Sequence, residues 1–229
     1  RNLMLANIVF EFFRQGGQVM WPILVSAIVA VAVIGERTFW WLRESRKRDA
    51  QKLEQLLAAL ENSDIPAATN IAEGSDDPVI RMIRHGLNHA GKLHSSMLGA
   101  LQLAAGIELK RAGRFLVVMD TLVTLAPLLG LLGTVTGLMR AFLNIGNAEL
   151  SVNAVTGGIG EALIATACGL GIAIFALVPF NYFSAKVTQL QFDLETAATN
   201  VEVMVGGGAK PGDSVHLHKP EAPGQATSH

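Results

Sequence analysis

Three long runs without a charged residue interrupt an otherwise mixed chain: residues 15–35 (QGGQVMWPILVSAIVAVAVIG), 121–139 (TLVTLAPLLGLLGTVTGLM) and 162–185, which opens ALIATACGLG. A helix needs about 20 apolar residues to cross a bilayer's hydrocarbon core. All three runs meet that length, and none shows the polar face of a helix in a soluble bundle. Their internal glycines and prolines fit membrane helices, which tolerate both. Each run therefore predicts a transmembrane helix.

Between the first two runs the pattern changes to helical periodicity. Leu53, Leu56, Leu57 and Leu60 recur at helical spacing with charges between them. Pro66 and the stretch EGSDDP punctuate this region. Asp76 and Asp77 before Pro78 mark a helix start, with Val79, Met82, Ile83 and Leu87 as its apolar stripe. From Ser95 onward no breaker is evident through Lys110, so the pattern predicts one long helix running into the second span. Leu98, Leu101, Ala105, Leu109 and Ala112 form its contact seam. The tail GGGAKPGDSVHLHKPEAPGQATSH, rich in Gly and Pro, predicts disorder, which also accounts for His216 and His218 without a metal.

Charge adds orientation. Arg37, Arg43, Arg46, Lys47, Arg48 and Lys52 follow the first span, Lys110, Arg111 and Arg114 precede the second, and Lys186 follows the third. The stretch 144–160 has no Lys or Arg. Basic residues collect on the cytoplasmic side, so the N-terminus and 144–160 are expected outside, with 43–114 and the C-terminus inside. Arg43, Arg46, Lys47, Arg48, Lys110, Arg111 and Arg114 become cytoplasmic interface anchors. Arg140, at the outer end of the second span, is expected to snorkel to the interface. The resulting division is 1–42 (outward segment and first span), 43–114 (cytoplasmic helices), 115–143 (second span), 144–160 (outward loop), 161–185 (third span), 186–205 (cytoplasmic C-terminal helix) and 206–229 (disordered tail). The expected fold is an all-α integral membrane protein of three spans, the second and third extended into the cytoplasm.

Composition agrees. Only 16% of the 229 residues are charged, against about 25% in soluble domains. The single cysteine, Cys168, forbids an intrachain disulfide. No basic patch interleaved with aromatics suggests nucleic-acid binding. An enzyme is not expected. His85, His89 and His94 lie near Glu73, Asp76 and Asp77 without a nucleophile motif or metal spacing, and His85 with His89 reads as a solvated face.

Glu161 is the residue that asks for chemistry, because it is the only charge in residues 151–185. An ionisable group within a span costs roughly 2.5–3.5 kcal/mol on insertion scales, and such groups normally face a bundle interior or a water-filled cavity. With no Lys or Arg at helical spacing on its own span, an isolated buried carboxyl favours its neutral form. It could load and release protons, or it could simply hold two helices together by one hydrogen bond. Ala162, Thr166, Gly169, Ala173 and Ala176 make a narrow small-residue face beside it, whose default role is close helix packing. Gly130, Gly133 and Gly137 give the second span the same character. Pro127 and Pro179 free the carbonyls of Val123 and Phe175, which could bind water. Thr134 and Thr166 read as backbone-bonded hydroxyls or as pore-lining groups. Five residues separate Thr166 from Glu161, about 140° around an ideal helix. The two share one face only in a wide pore or one built from two subunits.

LAPLLGLLGTVTGLM followed by GGIGEALIATACGLGIAIFALVPFNYF strongly resembles the MotA/TolQ/ExbB proton-channel family, and IGERTFWW at the end of the first span is similar to that family's first helix. Three spans place the resemblance in the ExbB and TolQ branch. It implies a homopentamer in the bacterial inner membrane around two copies of a single-span ExbD- or TolR-like partner, with no cofactor beyond the transported proton. Proton flow would drive work on a TonB- or TolA-like envelope protein, supporting outer-membrane transport or envelope maintenance. Glu161, Thr134 and Thr166 match the family's cavity-lining polar groups. A non-conducting membrane scaffold and a sodium-coupled member are the competing expectations.

Overall fold

The computed structural model describes residues 16–89, 94–145 and 152–206. Their regular structure is helical throughout: α1 (Met20–Ser45), α2 (Ala50–Glu61), α3 (Ile65–Ala72), α4 (Pro78–Leu87), α5 (His94–Ala112), α6 (Leu116–Ile145) and α7 (Val152–Gly206). The segment before residue 16, expected to face outward, and the tail from 207, with His216 and His218, lie outside the described residues.

The helices α1, α6 and α7 carry the three apolar runs, over Met20–Ser45, Leu116–Leu143 and Val155–Val205. Large apolar side chains stand exposed on each, among them Trp21 and Ile28 on α1, Leu128 and Phe142 on α6, and Leu163 and Val178 on α7. So much exposed hydrocarbon is unfavourable in water and suits a lipid surround. The protein is an all-α integral membrane protein with three spans.

Outside the spans, α2–α5 form a bundle on the last third of α7. Asp49, Asp64 and Asp77 begin α2, α3 and α4, their side chains accepting hydrogen bonds from the backbone N–H of Lys52, Ala67 and Val79. Each satisfies a donor that has no partner within its helix. Pro66 and Pro78 fall in first turns, where the missing N–H costs nothing. Leu56, Leu60, Val79, Met82, Ile83, Met97 and Leu101 then close over Leu190, Leu194, Ala197 and Val201 of α7 in one buried core. The seam expected on α5 is realised at Leu101 and Ala112 and shifted by a residue elsewhere. Met97, Leu101, Ala104 and Ala112 are buried, while Leu98, Ala105 and Leu109 are half-buried.

Two helix boundaries differ from expectation. The single helix expected from Ser95 into the second span is two helices, broken at Gly113–Arg114–Phe115, where Phe115 adopts φ +63°. The reason is long-range. Arg37 of α1 donates through Nη1 to the carbonyls of Arg111 (3.2 Å) and Ala112 (3.1 Å), the free acceptors at the end of α5. Its guanidinium is bound in two places by Glu36 (2.7 and 3.0 Å) and lies 4.9 Å from the Trp40 ring centroid. Only 1% exposed, it holds α5 and α6 at the break. The second difference is that α7 starts at Val152, within the stretch expected as a 144–160 loop. It then runs unbroken through Lys186, so the expected C-terminal helix of 186–205 and the third span are one element.

A second cation, half-buried, ties the bundle together. Arg81 of α4 contacts Glu108 of α5 (2.7 Å) and Glu44 of α1 (3.1 Å), both carboxylates being buried, and donates to the Asp76 carbonyl (2.7 Å). Burial disfavours the Arg81 charge, but hydrogen bonding to Glu108, then to Glu44, outweighs this and holds its pKa above the ordinary arginine value. Breaking such a buried pair from one side leaves the other charge uncompensated, at about 3–5 kcal/mol. Arg81→Ala is therefore expected to lower stability by about 3 kcal/mol, the low end because Lys47 and Arg111 still neutralise the two glutamates. Thermal unfolding in detergent measures it, and an unchanged midpoint would refute the assignment.

Candidate functional site at the seam of the second and third spans

Small residues bring α6 and α7 to backbone contact. A Cβ built on Gly169 would lie 2.5 Å from the Ala126 carbonyl oxygen and 3.0 Å from Gly130 Cα. One on Gly133 would lie 2.4 Å from Ala165 Cβ, and one on Gly137 3.0 Å from both Ala162 Cβ and the Gly158 carbonyl. These contacts (126 with 169, 137 with 162, 141 with 158) run in opposite directions along the two chains, so the helices are antiparallel. Ala162, Ala165, Ala173 and Ala176 are buried on the α7 side. Lipid supplies no hydrophobic drive between helices, so close van der Waals packing of this kind is what holds them. Met20 and Ile23 of α1 cover Ala165 from a third side.

Polar groups sit along this seam at three levels. Deepest, toward the bundle, Thr166 Oγ1 donates across the interface to the Gly130 carbonyl (3.0 Å). Thr134 donates to its own helix, at the Leu131 carbonyl (2.7 Å), and is half-buried. Pro127 and Pro179 are half-buried within their helices.

Glu161 occupies the level farthest from the bundle, and here the sequence-based expectation needs correction. The carboxyl is not isolated: Arg140 of α6 donates through Nη1 to Glu161 Oε1 at 2.8 Å. Arg140, expected to be an interfacial anchor, is the counter-ion instead, its side chain 40% exposed against 22% for Glu161. The signal was available in outline. Both residues sit at the span ends that flank 144–160, where antiparallel helices must bring them to one level. Gly17 presses on the same carboxylate from the start of α1, with φ +72° and a hypothetical Cβ only 1.6 Å from Glu161 Oε1.

The expected basic anchors are distributed differently. Arg43, Arg46, Lys110 and Arg114 are exposed, whereas Lys47 pairs with Glu44 (2.9 Å), Arg111 with Glu108 (3.3 Å), and Arg48 with Asp193 and Asp77. Arg37, which periodicity gave no reason to single out, is the buried one. A cleft of about 550 Å³ opens between α1 and α7 beside Trp41, Pro179, Tyr182 and Lys186. Tyr182 lies 21 residues along α7 from Glu161, about 30 Å at 1.5 Å per residue, so the cleft is separate from the carboxylate's surroundings.

The architecture is thus a three-span membrane protein with one carboxylate at the end of a close-packed, threonine-bearing helix pair. Residues 74–196 match the MotA/TolQ/ExbB proton channel family, and the chain belongs to it. It is 38% identical over 199 residues to the biopolymer transport protein ExbB-like 1 of Synechocystis sp., covering 80% of this chain and 78% of that one. ExbB-like 3 of the same organism is 34% identical over 171 residues, 73% of this chain and 81% of the relative. The biopolymer transport protein ExbB of Neisseria gonorrhoeae shares 44% over 79 residues, 34% of this chain and 36% of that protein.

Proposed function

We propose that the chain is the channel-forming subunit of a proton-driven motor in the bacterial inner membrane, its N-terminus periplasmic and its α2–α5 bundle cytoplasmic. Five copies enclose two copies of a single-span ExbD- or TolR-like protein, and the pair passes work to a TonB- or TolA-like envelope protein. It catalyses no covalent reaction and needs no cofactor beyond the proton it moves. The carrying observation is the placement of Glu161. It is the only charge in residues 151–185 and stands at the level of the α6–α7 seam farthest from the α2–α5 bundle, with Thr134 and Thr166 at deeper levels. Each charge crossing the membrane releases about 2.3 kcal/mol per 100 mV, so several protons must pass for each large conformational step.

The Arg140 pair favours one other reading, a static clamp in a non-conducting scaffold. Proteoliposomes containing the purified chain and its single-span partner separate the two. Proton uptake under an imposed pH gradient and membrane potential is expected with both proteins present. Uptake that follows a sodium gradient instead would overturn the choice of ion. No uptake of either ion would leave the scaffold.

A further inference from the structure

We propose that Arg140 is a counter-ion latch: it holds the Glu161 carboxylate against the start of α1, and the outer end of the path opens only when this pair separates. The inference rests on reading Glu161 as the path carboxyl and adds a residue to it. Three features of the site support it.

The pair joins the two helices that form the seam, with Arg140 on α6 and Glu161 on α7 at 2.8 Å. An ion pair there also fixes the far ends of both helices. The same carboxylate is also seated by Gly17, just ahead of α1, at a position where a Cβ would displace it. The left-handed φ of +72° further suits only glycine. The third feature is the lack of competitors among the described residues. Arg140 is the only charged side chain of α6 beyond Asp120, Glu161 the only one of α7 before Lys186, and residues 16–20, leading into α1, are uncharged. Among the described residues, these three segments offer the pair no other charged partner.

Half-exposure gives the latch its way out. Arg140 is 40% exposed and its long stem can swing the guanidinium toward the headgroups once the carboxylate no longer binds it. When Glu161 takes a proton from the periplasmic side, its charge is lost and Arg140 is released. When the proton moves on, the anion recaptures the guanidinium and the path closes.

The test is resting proton uptake by proteoliposomes of the full chain, with and without the single-span partner. Arg140→Gln is expected to raise resting uptake about tenfold, the scale of one lost charge-assisted hydrogen bond. Arg140→Lys restores most of the closure, which a purely structural role would not require. In infrared difference spectra Arg140→Gln gains a protonated-carboxyl band, and adding Glu161→Gln removes both the band and the excess uptake. Should Arg140→Gln fail to accumulate, Gly17→Ala tests the seat from α1 and is expected to raise uptake in the same direction. Resting uptake equal to the parent in both variants overturns the latch. Loss of driven flux in Glu161→Gln with a silent Arg140→Gln overturns the latch alone. Undiminished flux in Glu161→Gln overturns the path reading on which it rests.

Discussion

Glu161→Gln is expected to lower driven proton flux at least about a hundredfold, the contribution typical of one positioned proton-transfer group. The amide keeps the shape and a hydrogen-bonding oxygen for Arg140 but cannot titrate. Its weakness as a test is the guanidinium left behind. Without the carboxylate, Arg140 is an uncompensated cation at a span end, costing up to about 2.5–3.5 kcal/mol if it stayed in hydrocarbon. Its 40% exposure lets it reach the headgroups and avoid most of that cost. The double variant Glu161→Gln with Arg140→Gln removes both charges and separates the effects. Assembly is expected in both variants by native gel or mass measurement, and flux in neither. Recovery of flux in the double variant would show that Arg140, not a missing proton carrier, blocked the single one.

The second large effect belongs to Gly169. Its neighbour is the Ala126 carbonyl oxygen, 2.5 Å from where a Cβ would stand, with Gly130 Cα at 3.0 Å. These are backbone atoms and cannot rotate away. Gly169→Ala must therefore push α6 and α7 apart, an overpacking cost at the upper end of about 1–3 kcal/mol. Separation also breaks the Thr166 hydrogen bond to the Gly130 carbonyl, leaving both groups unpaired where water is scarce. A marked fall in the detergent unfolding midpoint is expected. Gly171→Ala, two residues along the same helix with nothing within 4 Å, is expected to leave it unchanged within the protomer. Equal behaviour of the two variants would contradict the close-packed seam.

Much of this arrangement can be read from residue order. The spans follow from uncharged length, and the start of α4 from the aspartates before Pro78. The glycine and alanine spacing of α6 and α7 carries the close pairing, because small residues at three- and four-residue intervals have few other uses in lipid. What stayed hidden depends on contacts far apart in sequence. Local pattern runs smoothly from α5 to α6, and the break needs Arg37, some 75 residues earlier, to take up the carbonyls of Arg111 and Ala112. Glu161 looked solitary because helical spacing searches only its own helix, whereas Arg140 reaches it from α6. Thr166 shows the same limit. Its bond to Gly130 is an interhelical register, visible only once the helices are antiparallel and touching.

The unbroken course of α7 has a mechanical consequence. Fifty-five residues at 1.5 Å each make a rod about 80 Å long, more than twice the hydrocarbon thickness. One end bears the Glu161 pair and the other is clamped by Leu190, Leu194, Ala197 and Val201 in the bundle. Such a rod is a lever rather than a tether. A displacement near Glu161 reaches the bundle as tilt or twist without a loop to absorb it. Its softest point is Pro179, where an intrahelical hydrogen bond is missing. Bending there sets how much of a displacement near Glu161 arrives as motion at the α2–α5 bundle.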